Sequence, residues 1–251
     1  MTEFVTAPDG VRIAFEVVGE GAPVVLVHGF GSDRKQNWRA PGWYETLVKA
    51  GYSVVALDCR GHGESDKPHD TAAYDEGTMV EDIEQVMRAT GVTQATIMGY
   101  SMGGSLTLQV CHRFPMQVSR AVVGGVGKAY FTRDQAWRVS IGDGILAETD
   151  AALSPVQKMF RGFARQRDKD ALALAACMRS PRTPLSRDEL AAIATPTLVV
   201  CGETDDVSGP AAPLASALDN ARAVTVPKRD HMLTVGDKLY KQAVVGFLRA
   251  C

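Results

Sequence analysis

Gly99-Tyr100-Ser101-Met102-Gly103-Gly104 follows a short apolar run (Ala95, Ile97, Met98) and opens a helical pattern through Leu106, Leu108, Val110 and Cys111. The order reads as strand, sharp turn, helix. A serine at the apex of such a turn is held with its hydroxyl above the sheet, and glycines beside it leave room where a Cβ would strike strand or helix. Ser101 is therefore a candidate nucleophile. A hydroxyl attacks only when a base takes its proton, and that base must be oriented by a third group. Of the five histidines, His28 lies in the turn after an early strand, His62 in a Gly-rich turn, His69 in a polar loop and His112 inside the helix after Ser101. His231, in Lys228-Arg229-Asp230-His231-Met232, stands directly past the final strand pattern. Acid candidates lie in Cys201-Gly202-Glu203-Thr204-Asp205-Asp206, past the preceding strand, and His231 follows Asp205 by 26 residues, room for one helix and one short strand. A tetrahedral intermediate also needs donors for its oxyanion. The Met102 N–H at a helix N-terminus supplies one, and the His28-Gly29-Phe30-Gly31 loop supplies the other through the Phe30 N–H.

These groups require a scaffold that presents strand ends side by side. Phe4 to Val18 reads as a hairpin around Asp9-Gly10. Continuous apolar runs at Pro23–Val27, Ser53–Leu57, Val118–Val123 and Thr197–Cys201 suit strands covered on both faces, and Ala223–Val226 adds another. Helical spacing appears at Trp38–Ala50, Thr78–Thr90, Ala211–Leu218 and Leu239–Ala250. Strands alternating with helices predict an α/β fold, a mostly parallel sheet flanked by helices. Between Lys128 and Leu190 the alternation stops and only helical patterns remain (Gln135–Ile141, Val156–Phe163, Ala171–Met178). The expected organisation is a core over 1–127, a small helical insertion over 128–190, and the rest of the same core over 191–251. Met159, Phe160, Phe163, Ala171, Leu172, Leu174 and Met178 are expected on the underside of that insertion or in a small core of its own.

The chain has 251 residues and a formal net charge of -2 with both signs scattered. No electrostatic footprint for nucleic acid or an anionic membrane is present, which leaves a small-molecule substrate as the expected partner and a monomer or homodimer as the expected state. Five dispersed cysteines, Cys59, Cys111, Cys177, Cys201 and Cys251, sit mostly in apolar runs. With no leader-like or membrane-spanning stretch, the expected location is a reducing cytoplasm. There is no His-Glu-x-x-His, no Cys-x-x-Cys and no Gly-x-x-x-x-Gly-Lys, and no dinucleotide glycine spacing, so no metal and no cofactor is expected. Arg161, Arg165, Arg167 and Lys169 cluster in the insertion, where a solvated helix face outweighs an anion-facing one.

Val27-His28-Gly29-Phe30-Gly31, Asp58-Cys59-Arg60-Gly61-His62-Gly63-Glu64-Ser65, the Gly99–Gly104 turn, Gly202-Glu203-Thr204-Asp205 and Asp230-His231-Met232 together resemble the α/β-hydrolase fold superfamily, over about Thr2 to Ala250. Within it the motifs are similar to those of small carboxylesterases, enol-lactonases, cofactor-free perhydrolases and carbon-carbon bond hydrolases. The resemblance implies Ser101 as nucleophile, His231 as base, Asp205 as its orienter, Phe30 and Met102 as the oxyanion hole, and the insertion as a variable cap. Asp206 follows Asp205 where relatives commonly carry an apolar residue or proline. Relatives with a carboxylate nucleophile have Asp at the position of Ser101, which argues against epoxide hydrolysis and dehalogenation. Tyr100, Phe160 and Phe163 are candidates for the substrate pocket, whereas Asp58, Arg60, His28 and His62 read as structural turn residues. The implied activity is hydrolysis of a small ester or lactone through an acyl-enzyme. Ligand perception with slow or single turnover, and perhydrolysis or carbon-carbon cleavage on the same triad, are the alternatives.

Overall fold

The computed structural model describes residues 1–132, 134–166 and 168–250. The chain opens with an antiparallel pair, β1 (Glu3–Thr6) and β2 (Arg12–Val18). Six strands then run parallel: β3 (Ala22–Val27), β4 (Tyr52–Leu57), β5 (Ala95–Tyr100), β6 (Val118–Gly124), β7 (Thr197–Gly202) and β8 (Ala221–Val226). The sheet order is β1-β2-β4-β3-β5-β6-β7-β8, with β2 antiparallel to β4. Helix α1 (Trp43–Lys49) connects β3 to β4, α2 (Glu76–Ala89) leads to β5, and α3 (Met102–Arg113) leads to β6. Among the described residues four α-helices separate β6 from β7: α4 (Gln135–Leu146), α5 (Pro155–Ala164), α6 (Ala171–Arg179) and α7 (Arg187–Ala191). Short α8 (Ala212–Ala215) precedes β8, and α9 (His231–Thr234) and α10 (Lys238–Arg249) follow it. This is the mostly parallel, helix-flanked α/β architecture expected from the sequence.

The strands lack polar alternation because successive side chains enter two different cores. Val25, Val27, Val55, Leu57, Ile97, Val123 and Val199 join one, with Met79, Ile83 and Leu106 from α2 and α3. Val24, Leu26, Val54, Ala56, Met98, Val122 and Leu198 join the other, with Trp43 and Leu47 of α1 and Tyr240 and Val244 of α10. Helices α4, α5 and α6 close around a third group, Ile141, Ile145, Phe160, Ala164, Leu174, Ala175 and Met178. Among the described residues no helix is long and apolar enough to cross a membrane.

Several boundaries depart from the sequence reading. The single helix expected over Trp38–Ala50 is broken into one π-type turn at Lys35–Arg39 and α1, because Pro41 has no N–H to donate and Gly42 turns left-handed at φ 78°. The helix expected near Ala211–Leu218 shortens to α8, and tighter bonds carry the chain onward, from Ala217 N–H to the Leu214 carbonyl and Leu218 N–H to that of Ala215. Helices α7 and α9 are five and four residues long, too short to leave a hydrophobic period. Leu172 is 52% exposed rather than packed within the insertion.

The order reverses at β3, since β4 lies on one side of it and β5 on the other. In open sheets of this kind ligands bind beyond the carboxyl ends of the strands at such a reversal. The loop after β3 carries Phe30, and the turn after β5 carries Ser101.

Candidate active site

Ser101 closes β5 and begins α3 with φ 53° and ψ -111°, a conformation that costs a non-glycine residue about 1–3 kcal/mol and is held only by its surroundings. Its N–H donates to the Gly124 carbonyl at 2.8 Å, and its own carbonyl accepts from the Ser105 N–H at 3.0 Å. The helix comes so close to the sheet that a Cβ on Gly103 would lie 2.0 Å from the Val27 carbonyl oxygen, and one on Gly99 would lie 2.0 Å from that of Gly103. Both obstacles are backbone atoms and cannot rotate away. Gly103→Ala is therefore expected to destabilise the fold by about 3 kcal/mol, read from the shift of a urea-unfolding midpoint; an unchanged midpoint would contradict this packing.

Asp205 and His231 reach the same point from the loops after β7 and β8. The imidazole lies between the two other side chains, its Nδ1 2.8 Å from Asp205 Oδ2 and its Nε2 3.0 Å from Ser101 Oγ. An ionised carboxylate only accepts, so Nδ1 carries the ring proton and the Nε2 lone pair faces the hydroxyl. Asp205 is buried, and its Oδ1 accepts from the Val207 and Ser208 N–H groups at 2.9 and 2.8 Å, while the Ser208 hydroxyl donates to Oδ2. Burial works against its ionisation, but the bonds from His231 and Ser208 prevail and hold the carboxyl below its ordinary value. The neighbouring Asp206 is exposed. The Tyr100 hydroxyl donates to the His231 carbonyl, and its ring lies against the imidazole with centroids 5.3 Å apart.

Two cavities open on Ser101, of about 210 and 200 Å³, and share Phe30, Ser101 and Phe160 in their walls. The first is lined by Met102, Val126, Tyr130, Trp137, Arg138 and Arg182 among others, and the second by Tyr100, Met159, Phe163, His231, Met232 and Val235. Phe160 thus borders both, Phe163 the second only, and Tyr100 offers its ring to the second while its hydroxyl is engaged by His231. The Phe30 and Met102 N–H groups have no hydrogen-bond acceptor among the described residues. Met102 is the first residue of α3, whose exposed N–H groups and dipole favour an anion. The arrangement can deprotonate a serine hydroxyl, orient the base that does it, and offer two unpaired main-chain donors in the loops beside it.

The other polar residues of these loops are internal. The Cys59 N–H donates to His28 Nε2 at 2.9 Å, so Nδ1 carries the proton toward the Gly29 carbonyl. His62 Nδ1 faces the Arg60 carbonyl, and burial disfavours the charged form of both imidazoles. Asp58 pairs with buried Arg34, and Arg60 bridges Asp82 and Asp9. Arg161, read from the sequence as part of a solvated face, is buried and holds the Ala147 and Glu148 carbonyls and Asp150. Arg165 also reaches the Ala147 carbonyl, and Lys169 pairs with Asp33 at 3.1 Å. Arg167 and Cys251 lie outside the described residues; the other four cysteines are buried and free. Ser208 was not singled out from the sequence, although Asp205-x-x-Ser208 has the spacing at which an aspartate caps a turn. Nothing in the local sequence marks Arg182 as a cavity residue.

Residues 22–138 match the family model described as alpha/beta hydrolase fold. An uncharacterized protein of Mycobacterium tuberculosis is 34% identical over 122 residues, which take in 47% of this chain and 34% of that protein, so the matched stretch spans about a third of the relative's length. A hydrolase from Pseudomonas aeruginosa PA01 superposes with a TM-score of 0.78 at 24% identity, covering 99% of this chain and 98% of that one. A thermophilic esterase from Thermogutta terrifontis, with malate bound, gives a TM-score of 0.75 at 26% identity, covering 99% and 98%.

Proposed function

We infer that the chain belongs to the α/β-hydrolase fold superfamily, and on that premise we propose that it is a serine hydrolase cleaving a small carboxylic ester or lactone through an acyl-enzyme. The observation that carries the reading is the unbroken run of hydrogen bonds from Asp205 through His231 to Ser101 at the mouth of two cavities. Ser101 Oγ attacks the ester carbonyl as its proton passes to His231 Nε2. The Phe30 and Met102 N–H groups receive the charge that develops on the carbonyl oxygen. The imidazolium, stabilised by the Asp205 carboxylate, then protonates the leaving oxygen, and water repeats the sequence to release the acid.

The test is kcat/KM across p-nitrophenyl esters from acetate to octanoate, beside Ser101→Ala. Fast turnover over a narrow range of acyl lengths, absent in the variant, is the expected result. A stoichiometric burst without turnover would replace hydrolysis by single-turnover ligand capture. Asp205 is held below the ordinary carboxylate range, so it is ionised at neutral pH and is expected to add no inflection to the pH profile of kcat/KM above about pH 5; a carboxylate-like inflection in that range would contradict this.

A further inference from the structure

Ser101 stands between two cavities, and only one of them touches His231. A leaving oxygen must come within reach of His231 Nε2 to be protonated, so in the serine-hydrolase reading the leaving group occupies the second cavity and the acyl group the first. The second cavity presents Met159, Phe160, Phe163, Met232 and Val235. The first is different in kind: besides Phe30, Val126, Trp137 and Met178 it contains two guanidinium groups, Arg138 and Arg182.

Arg182 is poorly matched to its surroundings. Its Nη2 lies 2.8 Å from Met79 Sδ and 3.8 Å from Cys177 Sγ, both weak acceptors. Its Nε is buried with no hydrogen-bond partner, and among the described residues no carboxylate comes within 4.0 Å of it in an ion pair. A guanidinium left with sulfur acceptors and an unmade N–H bond forfeits free energy that an anion would restore. Arg138, on α4, lines the same cavity, and its Nη2 donates to the Cys177 carbonyl at 2.9 Å. The two carboxyl groups lining the same cavity are Glu76 and Asp134. Asp134 caps α4 by accepting from the Trp137 N–H at 2.8 Å, and Glu76 accepts from Gln109 at 3.0 Å. Burial raises the Glu76 carboxyl above its ordinary value against the pull of Arg182 and Arg138, which lessens its repulsion toward an incoming anion.

We propose that the acyl half of the substrate carries a carboxylate, bound in the first cavity by Arg182 together with Arg138, so that the preferred substrate is a monoester of a dicarboxylic acid, or a lactone whose acyl chain bears a carboxylate. This rests on the serine-hydrolase reading for its assignment of acyl and leaving sides. A planar guanidinium fork suits a carboxylate, and the apolar wall between Ser101 and the arginines suits the methylenes that join the two acid groups.

The test compares monoethyl esters of the straight-chain diacids from succinic to suberic with the corresponding ethyl ester amides, in which a neutral carboxamide of the same size replaces the free carboxylate. The wild-type enzyme is expected to favour the acid over the amide by about 10- to 100-fold in kcat/KM at the best chain length. Arg182→Met is expected to abolish that preference, its loss of kcat/KM on the acid exceeding its loss on the amide by about tenfold or more, and Arg182→Lys to restore part of it. A wild-type ratio near one, or equal losses on acid and amide in Arg182→Met, overturns the proposal and leaves the serine-hydrolase reading intact. Calorimetry on Ser101→Ala with the same monoethyl esters separates the two readings, since it needs no turnover. Binding about tenfold weaker on adding Arg182→Met supports the subsite even where the wild type cleaves no ester; undiminished binding overturns it.

Discussion

Ser101→Ala is expected to lower kcat on the best p-nitrophenyl ester by at least about 10⁴-fold while leaving the unfolding midpoint nearly unchanged. The two halves of this result come from different features. The hydroxyl is the atom that His231 Nε2 faces at 3.0 Å, and nothing else in the described structure places an oxygen nucleophile against that nitrogen. The backbone conformation at position 101 is held by the bond from its N–H to Gly124 and by the close approach of α3 to β3, and alanine preserves both. A variant that retains turnover within tenfold of wild type would falsify the acyl-enzyme mechanism. A variant that fails to fold would instead show that the hydroxyl is part of the scaffold.

Asp205→Asn carries nearly as large an expected effect, a loss of about 10⁴-fold in kcat, by a route that leaves every heavy atom in place. Oδ1 accepts two backbone N–H groups, from Val207 and Ser208, so the asparagine oxygen takes that side and its NH₂ turns toward His231 Nδ1. An NH₂ group donates, which forces the ring proton from Nδ1 to Nε2 and leaves Ser101 with no acceptor for its own proton. Asp206→Asn, at an exposed position, is expected to change kcat/KM by less than about twofold. Steady-state kinetics on the two variants side by side decides which carboxylate orients the base; comparable losses in both would undo the argument. The Asp205 carboxyl also bears on stability. Its folded-state value lies below the ordinary one, so it stabilises the fold above the usual carboxylate range, and that contribution disappears as pH falls through the lowered value.

The strands were legible because a parallel strand buried on both faces writes itself as an unbroken aliphatic run, as Pro23–Val27 and Thr197–Cys201 do. The turn at Ser101 was legible for a steric reason, since Gly99 and Gly103 stand where backbone approaches within contact distance. Short helices were not. Helix α7 carries its signal in a capping box, Ser186 with Glu189, rather than in a period, and the break between Arg39 and Trp43 rests on Pro41 and Gly42. Asp205 and Asp206 are equivalent as letters; Asp205 differs because the backbone after it folds back and offers its carboxylate the Val207 and Ser208 N–H groups. Arg182 was the least legible residue of all. It belongs to the irregular segment between α6 and α7, and its place in the cavity goes with its contact to Met79 of α2, a meeting of distant parts of the chain with no local pattern.

Tyr100 joins the strand that ends at Ser101 to the loop that carries His231, through its hydroxyl on the His231 carbonyl and its ring against the imidazole. Mechanically this is a cross-brace. Without it the hydroxyl and the imidazole would ride on β5 and on the loop after β8, strands separated in the sheet by β6 and β7, and every shear of the sheet would change the gap between them. With it, a displacement of either end is resisted by the other, so the gap between Ser101 and His231 is tied by a contact that bypasses the two intervening strands.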